Sequence, residues 1–104
     1  MIRHIVFWRF LESAQGASKA DNLLKAQSLL ESLPGKIPAI LTLEVGPGVT
    51  HGSGSFDLAL NGTFRSLADL ETYQRHPEHV GVVQFLRAVQ SEKAVVDYEL
   101  PDGR

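Results

Sequence analysis

The 104-residue chain contains no cysteine. That absence removes disulfides, thiolate catalysis and cysteine-ligated zinc, and it suits a reducing cytoplasm, the expected location. A dominant charge is missing too. Ten Lys and Arg against twelve Asp and Glu leave a net charge of −2, with no basic run. A nucleic-acid partner, which needs a clustered cationic footprint, is not expected. No apolar run approaches the roughly 20 residues of a membrane span, so no membrane contact is expected either. The opening MIRHIVFWRF has charges inside its apolar stretch and no small-residue cleavage site, unlike a signal peptide. Also missing are the G-x-x-x-x-G-K-S/T phosphate loop, the H-E-x-x-H zinc pair and the G-x-S-x-G nucleophile turn. The expectation is one domain over residues 1–100 and a short tail at 101–104, with no cofactor and no metal.

What is present is an ordinary balance of 43 % hydrophobic and 21 % charged residues, enough for one core. Ile2 to Phe10 is β-branched and aromatic and reads as a strand. Its even positions are Ile2, His4, Val6, Trp8 and Phe10; its odd positions, Arg3, Ile5, Phe7 and Arg9, also carry large apolar groups. After a polar loop, Ala17 to Leu33 repeats leucine and alanine at three- and four-residue spacing, an amphipathic helix ended by Pro34-Gly35. Ala39 to Val45 reads as a second strand. The stretch 46–55, GPGVTHGSGS, reads as a long hairpin loop, and Phe56 to Phe64 as a third strand. Ser66 caps a helix carrying Leu67, Leu70 and Tyr73, Pro77 to Val89 forms another, and Lys93 to Leu100 reads as the last strand.

The order β–α–β–β–α–β, with its second helix broken, predicts a ferredoxin-like α+β sandwich on a four-stranded antiparallel sheet. Two helices cover one face of such a sheet, yet the first strand is apolar on both. A second copy of the sheet is the simplest cover, which predicts a homodimer closed sheet to sheet into a barrel. Trp8 is expected at the barrel interior or interface. A barrel interior filled by Trp8, Phe10 and Phe64 would favour a structural role. Asp97 and Glu99 are expected to point outward if Val96 and Tyr98 point in.

The stretch Thr72 to Leu86, TYQRHPEHVGVVQFL, holds the chemistry. Proline is tolerated in the first turn of a helix, and the residue before it is steered out of the α region. Tyr73 and His79 therefore sit on either side of a sharp joint that can aim both into one pocket. His79 falls at the third position of its helix, where the positive end of the dipole favours a neutral imidazole, a general base. Tyr73 would stay protonated and donate a hydrogen bond, or else be an ordinary buried tyrosine. His4 either donates into the same pocket or is a satisfied interior polar group. His76 and His79 are three apart, but the intervening proline and the lack of further ligands argue against zinc. His76 reads instead as a joint residue whose ring satisfies backbone groups.

MIRHIVFWRF, LESLPGKIPAILTLEVG, SFDLALNGTF, SLADLETYQRHPEHVGVVQFL and VVDYEL together resemble the stress-responsive A/B-barrel (Dabb) domain family, from Met1 to about Leu100. The resemblance implies a ferredoxin-like protomer in a dimeric α+β barrel. In the plant polyketide cyclase branch, a tyrosine and a histidine around an HPxH motif act as orienting group and base. These match Tyr73 and His79, and a first-strand pocket histidine matches His4. A third-strand pocket histidine of that branch is Leu58 here, a departure from the cyclase pattern. Two function classes follow: a cofactor-independent proton-transfer enzyme of lyase, cyclase or isomerase type for a small, largely apolar carbonyl compound, or a non-catalytic homodimer that is stress-responsive or binds a ligand.

Overall fold

The computed structural model describes residues 1–101, so the expected tail lies outside the described residues from position 102 on. Its order is β1 (Ile2–Phe10), the short pair β2 (Ser13–Ala14) and β3 (Ala17–Ser18), α1 (Lys19–Glu31) and a 3-10 turn (Leu33–Gly35). Then come β4 (Thr42–Pro47), β5 (Leu58–Phe64), α2 (Leu67–Arg75), α3 (Pro77–Val89) and β6 (Gln90–Glu99). The main sheet is antiparallel in the order β4-β5-β1-β6. The expected ferredoxin-like α+β sandwich is therefore the observed one. No helix among the described residues is long and apolar enough to cross a membrane.

Boundaries moved where local chemistry competed with periodicity. The first helix begins only at Lys19, because Ser18 is extended and its hydroxyl accepts the Asp21 N–H at 3.2 Å. Residues 37–41 turn rather than extend. Ile37 and Ile40 tuck into the core, and β4 starts later and runs on through Pro47. Proline is tolerated there because β4 is an edge strand. The neck of the long loop is at Gly48, where a Cβ would overlap the Phe56 carbonyl oxygen. The last strand follows α3 without a gap, its first residue, Gln90, capping the helix.

The helices cover one sheet face. Against them lie Ile2, His4, Val6, Trp8 and Phe10 of β1, Leu58, Leu60 and Phe64 of β5, and Tyr73, Val82, Leu86 and Val89 of the helices, all buried. The opposite face takes the odd residues of β1. Phe7 is 40 % exposed, and on β6 Val96 and Tyr98, paired with Ile5 and Arg3, are 50 % and 44 % exposed. Two expectations are corrected here. Trp8, Phe10 and Phe64 fill the core between sheet and helices of one protomer, not a sheet-to-sheet interior. Val96 and Tyr98 point to the open face, which turns Asp97 inward toward the helices. Strand alternation links these outcomes, since one register sets every side chain on the strand.

Trp8 is 3 % exposed. Its emission should be blue-shifted and resist iodide quenching even at dilutions where any oligomer has dissociated. A red-shifted, readily quenched signal on dilution would mean that its cover comes from a second chain.

Candidate functional site

The joint between α2 and α3 is built as the sequence requires. Ser66 caps α2 by accepting the Asp69 N–H at 3.1 Å. His76 leaves the helical region with ψ 134°, ends α2 and caps α3, with Pro77 in the first turn. The His76 Nδ1 accepts the Glu78 N–H at 3.1 Å, a backbone-capping role.

Tyr73, at the end of α2, and His79, at the start of α3, meet across this joint with ring centroids 4.3 Å apart. His4 reaches the same place from β1, its ring edge-on to Tyr73 at 6.1 Å. Phe64 backs the tyrosine at 5.0 Å. The three residues expected at a site thus line or border one chamber of about 80 Å³, walled by Val6, Trp8, Leu60 and Leu86. A wider vestibule of about 350 Å³ lies outside it and includes Val80, Gln84 and Arg87. Gln74, His79, Val83 and Lys93 line both spaces. On β5 the chamber is lined by Leu60; Leu58 lies instead beside a groove near Phe7 and Phe56.

Two hydrogen bonds fix the imidazoles. The His79 Nδ1 lies 3.1 Å from the Gln74 carbonyl oxygen. A carbonyl only accepts, so Nδ1 carries the proton and Nε2 of the neutral ring holds the free lone pair. The His4 Nδ1–H likewise donates to the Asp97 carboxylate. Burial holds the His79 pKa below its ordinary value. The Gln74 bond opposes that shift, and the nearby charges of Lys93, His4 and His76 add to it. Burial pushes the Tyr73 hydroxyl well above the usual tyrosine range, so it is a proton-bearing donor at any ordinary pH. The Lys93 ammonium is held below its usual range by burial and then by the Arg87 charge.

A family model, the stress responsive A/B barrel domain, matches residues 2–100. The chain belongs to this family. Among solved structures, this Dabb protein is similar to a dimeric protein of unknown function with a ferredoxin-like fold from Bacteroides fragilis. The two are 30 % identical over 95 % of both chains, with a TM-score of 0.83. A dimeric ferredoxin-like protein of unknown function from Thermobifida fusca is 22 % identical over 95 % of this chain and 90 % of that one, TM-score 0.81. The hydroxynitrile lyase from Passiflora edulis is 20 % identical over 99 % of this chain and 95 % of its own, TM-score 0.78; at that identity the likeness concerns the fold. No curated protein sequence matches the Dabb chain.

Three residues of the site escaped the sequence reading. Asp97 looked like an outward charge, and Gln74 and Lys93 carried no signal of their own. The β1–β6 register pairs His4 with Asp97, Val6 with Val95 and Trp8 with Lys93, which puts all three β6 residues on the helix side. Alternation along KAVVDYEL offers both phases equally, so only the pairing with β1 distinguishes them. Among the described residues no three His, Cys, Asp or Glu side chains gather as a metal ion would require.

Proposed function

We propose that this Dabb protein is a cofactor-independent proton-transfer catalyst for a small carbonyl compound. The observation that carries this reading is the His79 ring. Its Nδ1–H is tied to the Gln74 carbonyl, which leaves Nε2 basic on a ring packed against the buried Tyr73 ring at a chamber. The neutral ring takes a proton from the carbon next to the substrate carbonyl, and the C–H electron pair moves into the carbonyl as an enolate. The Tyr73 O–H donates to that developing oxyanion, in surroundings poor in competing water. The proton then returns from Nε2, to the same carbon or to a neighbouring atom. His4, oriented by Asp97, flanks Tyr73 on its other side and keeps the phenol ring in place.

The small volume of the inner chamber favours a second reading, a homodimer that binds such a compound without transforming it. Titrating small β-keto compounds while watching the histidine ring protons by NMR, with solvent deuterium exchange at the acidic carbon, separates the two. Shifts at His79 with protein-dependent exchange support catalysis. Shifts without exchange favour binding alone, and the absence of both removes either reading.

We also propose that the protein works as a homodimer closed sheet to sheet. Phe7, Val96 and Tyr98 leave the open face apolar, and an uncovered patch of this kind marks an association surface. A stable interface buries about 1,600 Å² in total, and two facing sheets supply at least that. Light scattering should give twice the chain mass at micromolar concentration. A compact, folded monomer there would refute the dimer.

A further inference from the structure

The vestibule outside His79 holds two cations without a counter-charge. Lys93 lies opposite Trp8 in the β1–β6 register and lines both the inner chamber and the vestibule; Arg87, on α3, lines the vestibule. Among the described residues neither has an ion-pair partner. Arg9, Lys19, Lys36 and Arg75 each lie against a carboxylate, whereas among the described residues Arg3, Lys25 and Arg65 also lack one. No aspartate or glutamate lines either space. Partial burial, and after it the like charge of Arg87 in the same recess, disfavour the Lys93 ammonium.

The inner wall repeats this excess of donors over acceptors. Trp8 lines the chamber and is 3 % exposed, and its buried indole N–H has no partner. A buried donor left unpaired costs free energy.

We propose that this mouth is a carboxylate-recognition site: Lys93 and Arg87 hold the anionic end of the substrate while its carbonyl reaches Tyr73 and its acidic carbon reaches His79. The inference rests on the proton-transfer reading and narrows its substrate class to short keto acids. A guanidinium and an ammonium together suit a carboxylate, the first through paired N–H groups and the second as a point charge. In a β-keto acid the acidic carbon lies between carbonyl and carboxylate, matching a base set between the Tyr73 donor and the cations. The inner chamber, about 80 Å³, has room for the short keto end, and the larger vestibule for the charged end. Binding also helps the base. The Lys93 charge is among those that depress His79, so a carboxylate placed on Lys93 offsets that effect and makes Nε2 more basic with substrate present.

The test compares sodium acetoacetate with methyl acetoacetate at pH 7 and low salt, with the His79 ring resonances as readout, on the wild-type protein, Lys93→Gln and Arg87→Gln. Acetoacetate should half-saturate at a concentration at least about tenfold below that of the ester, the scale of one charge-assisted contact. Lys93→Gln should erase most of the preference for the acid over the ester, with Arg87→Gln intermediate. Equal saturation by acid and ester in the wild type, or a preference that survives in Lys93→Gln, would overturn the proposal while the His79 chamber stood as a binding site. If neither compound moves His79, the chamber reading fails and this inference fails with it.

Discussion

Replacing His79 with alanine should slow proton removal from a bound carbonyl compound by about 10²–10⁴-fold, the range a positioned general base supplies. The fold should survive, because His79 is only half-buried and its one hydrogen bond, to the Gln74 carbonyl, closes on a neighbouring turn. Tyr73→Phe should cost less, since it removes one donor to the enolate and leaves the base in place. Deuterium exchange at the acidic carbon measures both. The pH profile adds an independent check. The folded His79 titrates below its ordinary 6.5, so the base stays neutral and the rate should hold as pH falls past that value. Stability moves with the sign this shift dictates. Between 6.5 and the lowered folded value, the unfolded chain binds a proton that folded His79 does not, so stability declines as pH falls through that window. Urea midpoints across the window should decline less in His79→Ala. An identical decline in both proteins would assign it to other groups.

Phe64→Ala should destabilise the protomer by about 3–5 kcal/mol, the usual cost of emptying a buried aromatic site. Its ring is fully buried against Tyr73 and near His4, so the cavity would open where the candidate site is supported. A domain of this size has a total stability of only about 5–15 kcal/mol, so the variant should unfold at much lower urea, and its His79 resonances should broaden. Phe7→Ala provides the contrast. Phe7 stands on the open face, tilted against Phe56, and its loss should leave the protomer midpoint nearly unchanged while weakening self-association. Equal losses of stability in the two variants would mean that both faces of the sheet are already structural in the single chain.

Phe7 and Phe64 also separate short-range chemistry from long-range packing. Local chemistry was legible. Pro77 after His76 set the joint to the residue, and Ser66 and the helical periodicity of residues 67–89 set its two helices. The β-branched run at 2–10 set the first strand. The order of these elements was enough for the ferredoxin-like sandwich, and the joint was enough to bring Tyr73 near His79. Each of these depends on interactions within a few residues, which the sequence displays directly.

Which face of each strand meets the helices depended on contacts between distant segments. β1 is apolar on both faces, so alternation alone left Trp8 and Phe7 interchangeable. The helices settled the matter by covering the even side, where Trp8 packs into the protomer core. Through the β1–β6 register that choice fixed Asp97 against His4, and Lys93 at the mouth of the chamber. A strand's period is two, so a single pairing made some ninety residues away in sequence assigns every side chain on it to core or solvent. Asp97, expected to point outward, thus joined the candidate site, because its environment is set by a partner strand and not by its neighbours in the chain.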